Sequence, residues 1–410
     1  MAAPKLRFKE FDNQWDKIKI NDQAQTVTSG SRDWAQYYSE SGDKFIRMTN
    51  LVRDGIYLDL SDLKFVQLPK DSNEGKRTSL KFGDILISIT AELGKLGWIP
   101  EGLGTAYINQ HTALVRMKDS VDSKFIAYSL STEKYNNKLN SLNDSGAKAG
   151  LNLGTIRNFE LIVPPKEEQT KIASFLSVVD EKISQLTQKH ALLSQYKQGM
   201  MQKLFSQQLR FKADDGNEFG EWNKVLLGDC VDILTNGLSL DQNMNGNGFK
   251  VTRIETISNF NIDLSRVGYV DTQSDISSYR LEIGDILFSN INSIAHIGKV
   301  VYIDKDYDIY HGMNLLRIQF KKNLDKKFMF YELSQKTFKQ HFESIANKAV
   351  NQASINQTAL KKTELCAPCL EEQIKIANFL SAIDQKIEVV AQQIEQAKTW
   401  KKGLLQQMFV

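Results

Sequence analysis

The sequence contains few cysteines and no long apolar run. Three cysteines among 410 residues exclude a disulfide framework, and no run approaches the ~18 apolar residues that a membrane-spanning helix needs. Residues 1–7 have no apolar core of a secretory signal. These absences predict a cytoplasmic protein.

Sequence motifs that would indicate catalysis are also lacking. The sequence has no phosphate-binding G-x-x-x-x-G-K-[ST], no G-x-S-x-G, no H-E-x-x-H and no [ND]-P-P-[YF] of the amino-methyltransferases. Cys366 and Cys369 form a C-x-x-C without a second pair or a histidine cluster, which favours an extended connector over a redox or zinc site. We therefore predict no catalytic residue and no metal site.

The bulk composition permits nucleic-acid binding without demanding it. The net charge is +3, and 410 residues suggest two or three domains. Evidence for a nucleic-acid partner must therefore come from the organisation of the sequence and not from its total charge.

The chain consists of one unit of about 200 residues written twice. Residues 167–183 and 371–387 are identical at 12 of 17 positions at an offset of 204. The motif at 80–88, L-K-F-G-D-I-L-I-S, recurs at 281–289 as L-E-I-G-D-I-L-F-S, and both copies open on R-F-K followed by a tryptophan. This period is too long for a solenoid, so it indicates a duplicated domain.

Each copy ends in about 40 residues without proline and with a strict 3.5-residue apolar repeat, which predicts a coiled-coil helix. We expect the two helices to pair with each other antiparallel; the alternative is that each pairs with another protein. His190, Lys197 and Lys401 are polar seam positions that either fix the register or extend to the helix edge. The apolar seam is Ile172, Leu176, Val179, Ile183, Leu186 and Leu193 in the first copy, and Ile376, Leu380, Ile383, Ile387, Val390 and Ile394 in the second.

Each globular half is predicted to have an α+β fold. Strand-like runs at 44–48, 84–89 and 112–117 have counterparts at 250–254, 285–289 and 314–318, and short helices are expected at about 122–140 and 325–346. The predicted boundaries are 1–165 and 209–369 for the globular domains, and 166–208 and 370–410 for the helices.

The strands and helices of the two halves correspond, whereas the polar loops differ. Loop side chains of this kind can read base edges and hold phosphates, although for any one residue an ordinary surface loop remains open. One scaffold with two loop sets suggests two ligands of one kind. The candidate DNA-binding residues are Ser31, Arg32, Thr90, Glu92, Lys95, Asn109, Gln110, His111, Lys148 and Asn152 in the first half, and Arg253, Asn290, Asn292, His296, Lys299, His311, Asn351, Gln352 and Asn356 in the second.

A D-x-K pair occurs once in each helix, at Asp180 and Lys182 and at Asp384 and Lys386. It is similar to the end of a nuclease motif. Because it lies inside the coiled coil, we interpret it as solvated helix charge.

These features together resemble the DNA specificity subunit of type I restriction–modification enzymes. The resemblance rests on F-G-D-I-L-I-S at 82–88, P-P-K-E-E-Q at 164–169 and their second copies, and it covers essentially the whole chain. Cys369 departs from the pattern where the first copy has Pro165.

The resemblance implies two target recognition domains, separated by the helix pair, each binding half of a bipartite asymmetric DNA target. The helices would set the spacing. It also implies two methyltransferase subunits with S-adenosylmethionine, two restriction subunits with ATP and Mg, and no cofactor in this chain. Two other hypotheses stay open: a modification enzyme with an unrecognised active site, and a coiled-coil adaptor that binds proteins.

Overall fold

The computed structural model describes residues 4–70, 72–142, 150–257, 261–350 and 352–409. The chain divides into two compact units: residues 1–188 with 391–410 form unit 1, and residues 189–390 form unit 2. Each long helix is therefore shared, contributing one end to each unit. No helix in the described ranges is long and apolar enough to cross a membrane.

Unit 1 has mixed strands and helices, as predicted. Short 3-10 turns occur at Trp34–Tyr37, Met48–Asn50 and Lys76–Thr78. Its elements are β1 (Asp16–Lys19), α1 (Ile20–Gln23), β2 (Ala24–Ser29), β3 (Tyr38–Ser39), β4 (Asp43–Ile46), β5 (Lys64–Val66), β6 (Ile85–Ser88), β7 (Leu96–Trp98), β8 (Ala106–Ile108), β9 (Thr112–Met117), α2 (Ser123–Ser131), α3 (Glu133–Ser141), α4 (Leu153–Arg157), β10 (Glu160–Val163) and the beginning of α5 (Lys166–Phe205).

The central sheet of unit 1 is antiparallel, in the order β2-β9-β6-β7. Ile85 and Ile87 pack on one side with Phe125 of α2, whereas Leu86 packs on the other side with Ile46. Because successive strand residues point to opposite faces and both faces are covered, the strand reads as an unbroken apolar run. A second sheet has the order β3-β5-β4-β8, and β1 pairs with β10.

Unit 2 repeats the central sheet, in the order β12-β18-β15-β17, and the outer pair as β11 with β21, whereas its other sheets are the pair β13-β14 and the three-stranded β16-β20-β19. The internal repeat is thus confirmed. The elements are β11 (Asn223–Leu226), α6 (Leu227–Cys230), β12 (Val231–Asn236), β13 (Phe249–Val251), β14 (Gly268–Val270), β15 (Ile286–Phe288), β16 (Ile291–Asn292), β17 (Val300–Tyr302), β18 (Leu316–Phe320), α7 (Lys326–Leu333), α8 (Lys336–Ile345), β19 (Asn347–Lys348), β20 (Ala353–Ser354), α9 (Gln357–Lys361), β21 (Glu364–Ala367) and α10 (Leu370–Met408), with 3-10 turns at Ile254–Ile257, Leu264–Arg266 and Ser277–Tyr279.

Each helix predicted after the third strand is broken into two. In unit 1 the break is Thr132, which has extended backbone angles and whose hydroxyl accepts a hydrogen bond from the Tyr135 amide. A threonine that caps a following helix offers the backbone an alternative to continuing the preceding one. In unit 2 the break lies at residues 334–335, between α7 and α8.

The long helices have the predicted seam. Its apolar members are buried or half-buried, whereas Val178, next to the seam residue Val179, is largely exposed. In unit 1, Leu6 donates its amide hydrogen to the Gln407 carbonyl and Arg7 binds Glu168. Further along α5, Asp180 pairs with Lys401, which precedes Gln407 on α10, so the helices run in opposite directions.

The two helices are also antiparallel in unit 2. Arg210, just after α5, binds Glu372 at the beginning of α10. Lys197, earlier on α5, pairs with Asp384, later on α10. The apolar contacts agree, because Leu204 belongs to the same core cluster as Ile376 and Leu380.

The F-G-D motif forms a tight turn fastened by a buried ion pair. Gly83 has a φ of 82°, in a region that favours glycine. Asp84 accepts the Lys81 amide at 2.7 Å and both Nε and a terminal nitrogen of Arg116 at 2.7 Å. In unit 2, Asp285 also pairs with an arginine of the neighbouring strand, Arg317, and both side chains are almost fully buried. By strand register the place of Arg116 is taken by Gln319, which donates to Asp285 at 2.7 Å.

The E-E-Q motif joins each long helix to its globular domain. Glu168 is fully buried and binds Arg7 through two hydrogen bonds of 2.7 Å. Gln169 accepts the Asp122 amide at 2.9 Å, at the cap of α2, and donates to the Pro164 carbonyl at 2.8 Å.

The second E-E-Q makes the matching contacts in unit 2. Glu372 binds Arg210, and Gln373 accepts the Asp325 amide and donates to the Pro368 carbonyl. Since Pro368 keeps this role, the neighbouring Cys369 changes only an exposed position of the connector.

The interpretation of Asp180 and Asp384 as solvated helix charge is wrong. Each accepts a hydrogen bond from a tyrosine of its domain and pairs with a lysine of the other long helix. The lysines are Lys401 and Lys197, the polar seam positions. In contrast, Lys182 and Lys386 are exposed.

Candidate nucleic-acid interface

Three of the predicted polar loops of unit 1 lie side by side. The Ile89 amide donates to the His111 carbonyl at 3.0 Å, and the Leu151 amide donates to the Ile89 carbonyl at 3.0 Å. An isolated bridge also joins Thr90 to Gly150. The loops that follow β6, precede β9 and precede α4 are thus one surface, which we call the first loop surface.

His111 links the polar side chains of this surface. Its Nδ1 lies 2.8 Å from the Thr90 hydroxyl, and its Nε2 lies 3.1 Å from the Gln110 amide nitrogen. The Asn109 side-chain oxygen accepts the His111 amide hydrogen at 3.1 Å. All four residues are half-buried, so their donors and acceptors are held in place while part of each remains accessible. Such an arrangement suits direct contact with base edges.

The segment 29–32 borders the same surface. Ser31 forms a parallel bridge with Asn109. A Cβ added to Gly30 would lie 2.1 Å from the Ile108 carbonyl oxygen, so only glycine permits this approach. Ser31 is half-buried and Arg32 is exposed.

Arg77 is a further candidate, outside the set predicted from the sequence. A terminal nitrogen of its exposed guanidinium donates to the Ser29 carbonyl at 3.1 Å, which brings its charge beside the first loop surface. A signal was present in the sequence: Lys76 and Arg77 stand where the second copy has Ser277 and Ser278. The other candidate loops are likewise those whose residues differ between the two copies.

Glu92 and Lys95 pair with each other across one turn of their loop. The distance from Lys95 Nζ to Glu92 Oε2 is 2.6 Å, and this hydrogen bond lowers the pKa of Glu92. The Lys95 amide also donates to the Ser88 hydroxyl at 2.8 Å. The Glu92 side chain is 55% exposed, whereas that of Lys95 is only 18% exposed, so the charge of Lys95 is held at the edge of the loop with its carboxylate partner on the solvent side.

Unit 2 builds a second loop surface on the same scaffold. The Ile355 amide donates to the Asn290 carbonyl at 2.8 Å, as Leu151 does to Ile89 in unit 1. In unit 2 these two loops also form strands of a small sheet, in which Asn292 of β16 pairs with Ala353 of β20. The side chains that this surface presents differ from those of the first loop surface.

Asn290 and Asn292 differ in the hydrogen bonds that their side chains make. Asn292 donates to the Ser289 hydroxyl at 3.1 Å and accepts the Ser293 amide at 2.8 Å. Asn290 is 6% exposed, and its side-chain oxygen has no hydrogen-bond partner among the residues that the structure describes. Nearby, His296 and Gln352 are exposed, and the exposed Lys348 on the strand that pairs with Ala353 adds a positive charge.

Three candidates of unit 2 have protein contacts that limit their availability. His311 is 2% exposed, its Nε2 lies 3.0 Å from the Leu315 carbonyl oxygen, and burial lowers its pKa to about 4. Arg253 contacts the Glu255 carboxylate at 3.3 Å. Burial, and after it the charge of Lys339, lowers the pKa of Lys299.

Asn152 and Asn356 are helix caps. Each side-chain oxygen accepts a backbone amide at 2.8 Å, from Thr155 and from Ala359 respectively. Both are asparagine because the two copies need the same cap. The predicted Lys148 and Asn351 lie outside the described residues.

No group of three or more His, Cys, Asp or Glu side chains that could hold a metal ion occurs in the described ranges. The two loop surfaces therefore offer amides, hydroxyls, imidazoles and positive charges. This is a recognition chemistry, set on two similar α+β domains that are each fastened to a coiled coil.

Comparison with known proteins places this architecture in a family. The chain belongs to the family of the type I restriction modification DNA specificity domain, whose model matches it twice, over residues 13–195 and 220–399. Each match includes one loop surface and most of one long helix.

The curated relatives are specificity subunits of type I restriction enzymes. A Methanocaldococcus jannaschii protein, provisionally named as the MjaX specificity subunit, is 44% identical over 210 residues, which are 50% of this chain and 49% of that protein. The MjaVIII specificity subunit of the same organism is 29% identical over 60% of each chain. The StySPI specificity subunit of Salmonella potsdam is 24% identical over 71% of this chain and 65% of that one. The chain thus spans about half to two thirds of the length of these relatives.

Solved structures match the fold over nearly the whole chain. The S subunit of the type I restriction–modification system from M. genitalium has a TM-score of 0.64 at 15% identity and covers 100% of this chain and 99% of its own. A chain from a structure described as the basis of complex assembly and conformational transition of the type I R-M system has a TM-score of 0.55 at 16% identity, covering 98% of each.

Proposed function

We propose that this protein is the DNA specificity subunit of a type I restriction–modification enzyme. It reads a bipartite, asymmetric DNA target, with the first loop surface contacting one half-site and the second loop surface contacting the other. The observation that carries the proposal is that one backbone scaffold presents two different sets of polar side chains.

The scaffold contacts recur in both units, whereas the presented side chains do not. The amide of Leu151 or Ile355 approaches the strand end in the same way, yet one surface offers Thr90 and His111 and the other offers Asn292 and His296. Amides, imidazoles and hydroxyls discriminate base edges by their donor and acceptor pattern. Two patterns on one scaffold suit two unlike half-sites.

The catalytic functions belong, in this proposal, to other subunits. Two methyltransferase subunits supply S-adenosylmethionine and methylate adenine, and two restriction subunits supply ATP-dependent cleavage with Mg. This chain contributes no catalytic residue. Its long helices set the distance between half-sites and bind the methyltransferase subunits.

The test is to map methylated sites in cells that carry this chain and its methyltransferase partner. Gln110→Ala should relax one position of one half-site, and Asn292→Ala one position of the other. The expected loss of discrimination is about 1–3 kcal/mol at that position. If Asn292→Ala changed the half-site that Gln110→Ala also changes, the assignment of one domain to each half-site would be wrong.

A matched control separates recognition from stability. Asp325→Ala removes the cap of α7 in the same domain, where its side chain accepts the Phe328 amide at 2.7 Å; this costs roughly 1 kcal/mol of stability and should leave both half-sites unchanged. Methylation or cleavage by the purified chain alone would instead support an enzyme. Absence of sequence-selective binding with the partner present would support a protein-binding adaptor.

A further inference from the structure

In unit 1, the carboxylate of an aspartate on one helix binds a tyrosine of a second helix and a lysine of a third. Tyr128 of α2 donates its hydroxyl hydrogen to Asp180 Oδ2 at 2.6 Å, and Lys401 of α10 binds Asp180 Oδ1 at 2.5 Å. Asp180 lies on α5, and the side chains of Asp180 and Lys401 are each 12% exposed. The globular domain and both long helices are therefore joined through the two oxygens of one side chain.

Unit 2 contains the same triad. Tyr331 of α7 donates to Asp384 Oδ2 at 2.6 Å, and Lys197 of α5 binds Asp384 Oδ1 at 2.6 Å. Each lysine also lies over the ring of its tyrosine, at 5.7 Å for Lys401 and 5.2 Å for Lys197. The sequence offsets between the triads are 203, 204 and 204, so they are the same feature in both copies.

An apolar seam alone does not determine the register of two helices. Sliding one helix by a heptad restores the apolar contacts, since the repeat is seven residues long. Sliding α10 by a heptad in unit 1 would take Lys401 about 10 Å along the helix axis, away from Asp180. A carboxylate left without its cation in this partly buried place would be disfavoured.

The tyrosine adds a second constraint, on the globular domain. Tyr128 of α2 is fully buried. Burial and the negative charge of Asp180 raise the pKa of its hydroxyl. The hydroxyl therefore stays a donor, and its hydrogen bond fixes where α2 sits on α5. Asp180 therefore contacts both the other long helix and the globular domain, in addition to the E-E-Q contacts that join the same elements.

We propose that Asp180 and Asp384, with their tyrosine and lysine partners, are positioning residues that hold each recognition domain in one register and orientation on its helix pair, and so make the protein strict about the spacing between its half-sites. The proposal rests on the proposed function. It assigns to the triads no contact with DNA and no share in reading bases.

The test uses the full chain with its methyltransferase subunit and a series of DNA duplexes. The duplexes keep both half-sites and carry the native spacing or a spacing one base pair shorter or longer. Asp180→Asn keeps the size of the side chain and an acceptor for Tyr128, but removes the charge that binds Lys401. Methylation at the altered spacings, relative to the native spacing, should rise roughly tenfold, the change expected when a hydrogen bond to a charged group is lost.

Three further variants make the result specific. Asp384→Asn should act in the same direction, and less strongly because its ion pair is more exposed. Tyr128→Phe tests the domain contact without touching the ion pair. Glu181→Gln removes a carboxylate charge from the next position of α5, where the side chain is exposed, and should change nothing.

Each outcome decides between alternatives. A uniform fall of methylation at every spacing, in both Asp180→Asn and Tyr128→Phe, would overturn the proposal and leave the triads a purely stabilising role. Unchanged spacing preference in folded variants would overturn it as well. If Asp180→Asn unfolds, as shown by its circular dichroism, Tyr128→Phe and Asp384→Asn decide. Failure of the wild-type chain to direct selective methylation would instead refute the proposed function.

Discussion

The surroundings of Glu332 predict how the free energy of unfolding changes with pH. Its side chain is 2% exposed in unit 2. One carboxylate oxygen accepts the Cys366 amide at 2.6 Å, while the other has no hydrogen-bond partner within the described part of the chain. Burial raises the pKa of Glu332 to about 8, although the bond from Cys366 opposes the shift. The folded protein thus holds a carboxylic acid that the unfolded chain ionises.

The pH dependence of stability follows by linkage. Between the ordinary pKa of 4.5 and the folded value of about 8, the folded state binds a proton that the unfolded state has released. The free energy of unfolding therefore falls as pH rises, by about 1.4 kcal/mol per pH unit and about 5 kcal/mol over the whole window. At pH 7 the loss is about 3 kcal/mol.

The assay compares the wild type with Glu332→Gln in urea unfolding from pH 5 to pH 8.5. The glutamine keeps an acceptor for Cys366 and cannot ionise, so the variant should gain stability over the wild type progressively as pH rises. Other titrating groups, such as His311, cancel in the difference between the two proteins. A difference that stays constant across this range would refute the reasoning.

Three other perturbations have expected outcomes. Arg317→Met leaves Asp285 buried without its cation and should lower the free energy of unfolding by about 3–5 kcal/mol, measured by urea unfolding; a loss below 1 kcal/mol would contradict the role of this pair. Arg77→Ala should weaken DNA binding, with a salt slope reduced by about one if the guanidinium contacts a phosphate; equal affinity and slope would remove it from the interface. Inserting four residues, about one helical turn, at matching positions of both long helices, after Gln188 and after Gln392, should lengthen the preferred spacing and leave both half-sites unchanged in methylation maps; an unchanged spacing would contradict the role of the helices as a ruler.

The features that the sequence predicted well are those with a local or repeated signature. The seam from Ile172 onward follows from a seven-residue period, and the strand at Ile85–Ser88 follows from an apolar run between turns. The duplication made both predictions stronger, because each pattern had to occur twice. The loop surfaces were selected by comparing the copies, and that comparison also indicates Arg77.

The contacts that the sequence did not predict join residues far apart in the chain. Asp180 lies 52 residues from Tyr128 and still further from Lys401, so its neighbours on α5 gave no sign of its partners and it was interpreted as solvated. His311 stands in a polar loop but turns into the core, which loop composition does not reveal. Glu332 occupies the place of Ser129 in the first copy. The sequence shows the acidic residue, but only the structure shows that it is buried.

Unit 1 is built from two segments of the chain and unit 2 from one, which has a consequence for folding during synthesis. Unit 2 is one continuous stretch, residues 189–390, whereas unit 1 needs residues 391–410 to complete it. Leu404, Met408 and Phe409 belong to the core that contains Phe125. Unit 1, most of which is synthesised first, therefore waits for residues 391–410, and unit 2 can finish folding before it. A stop codon just after residue 390 should damage unit 1 more than unit 2.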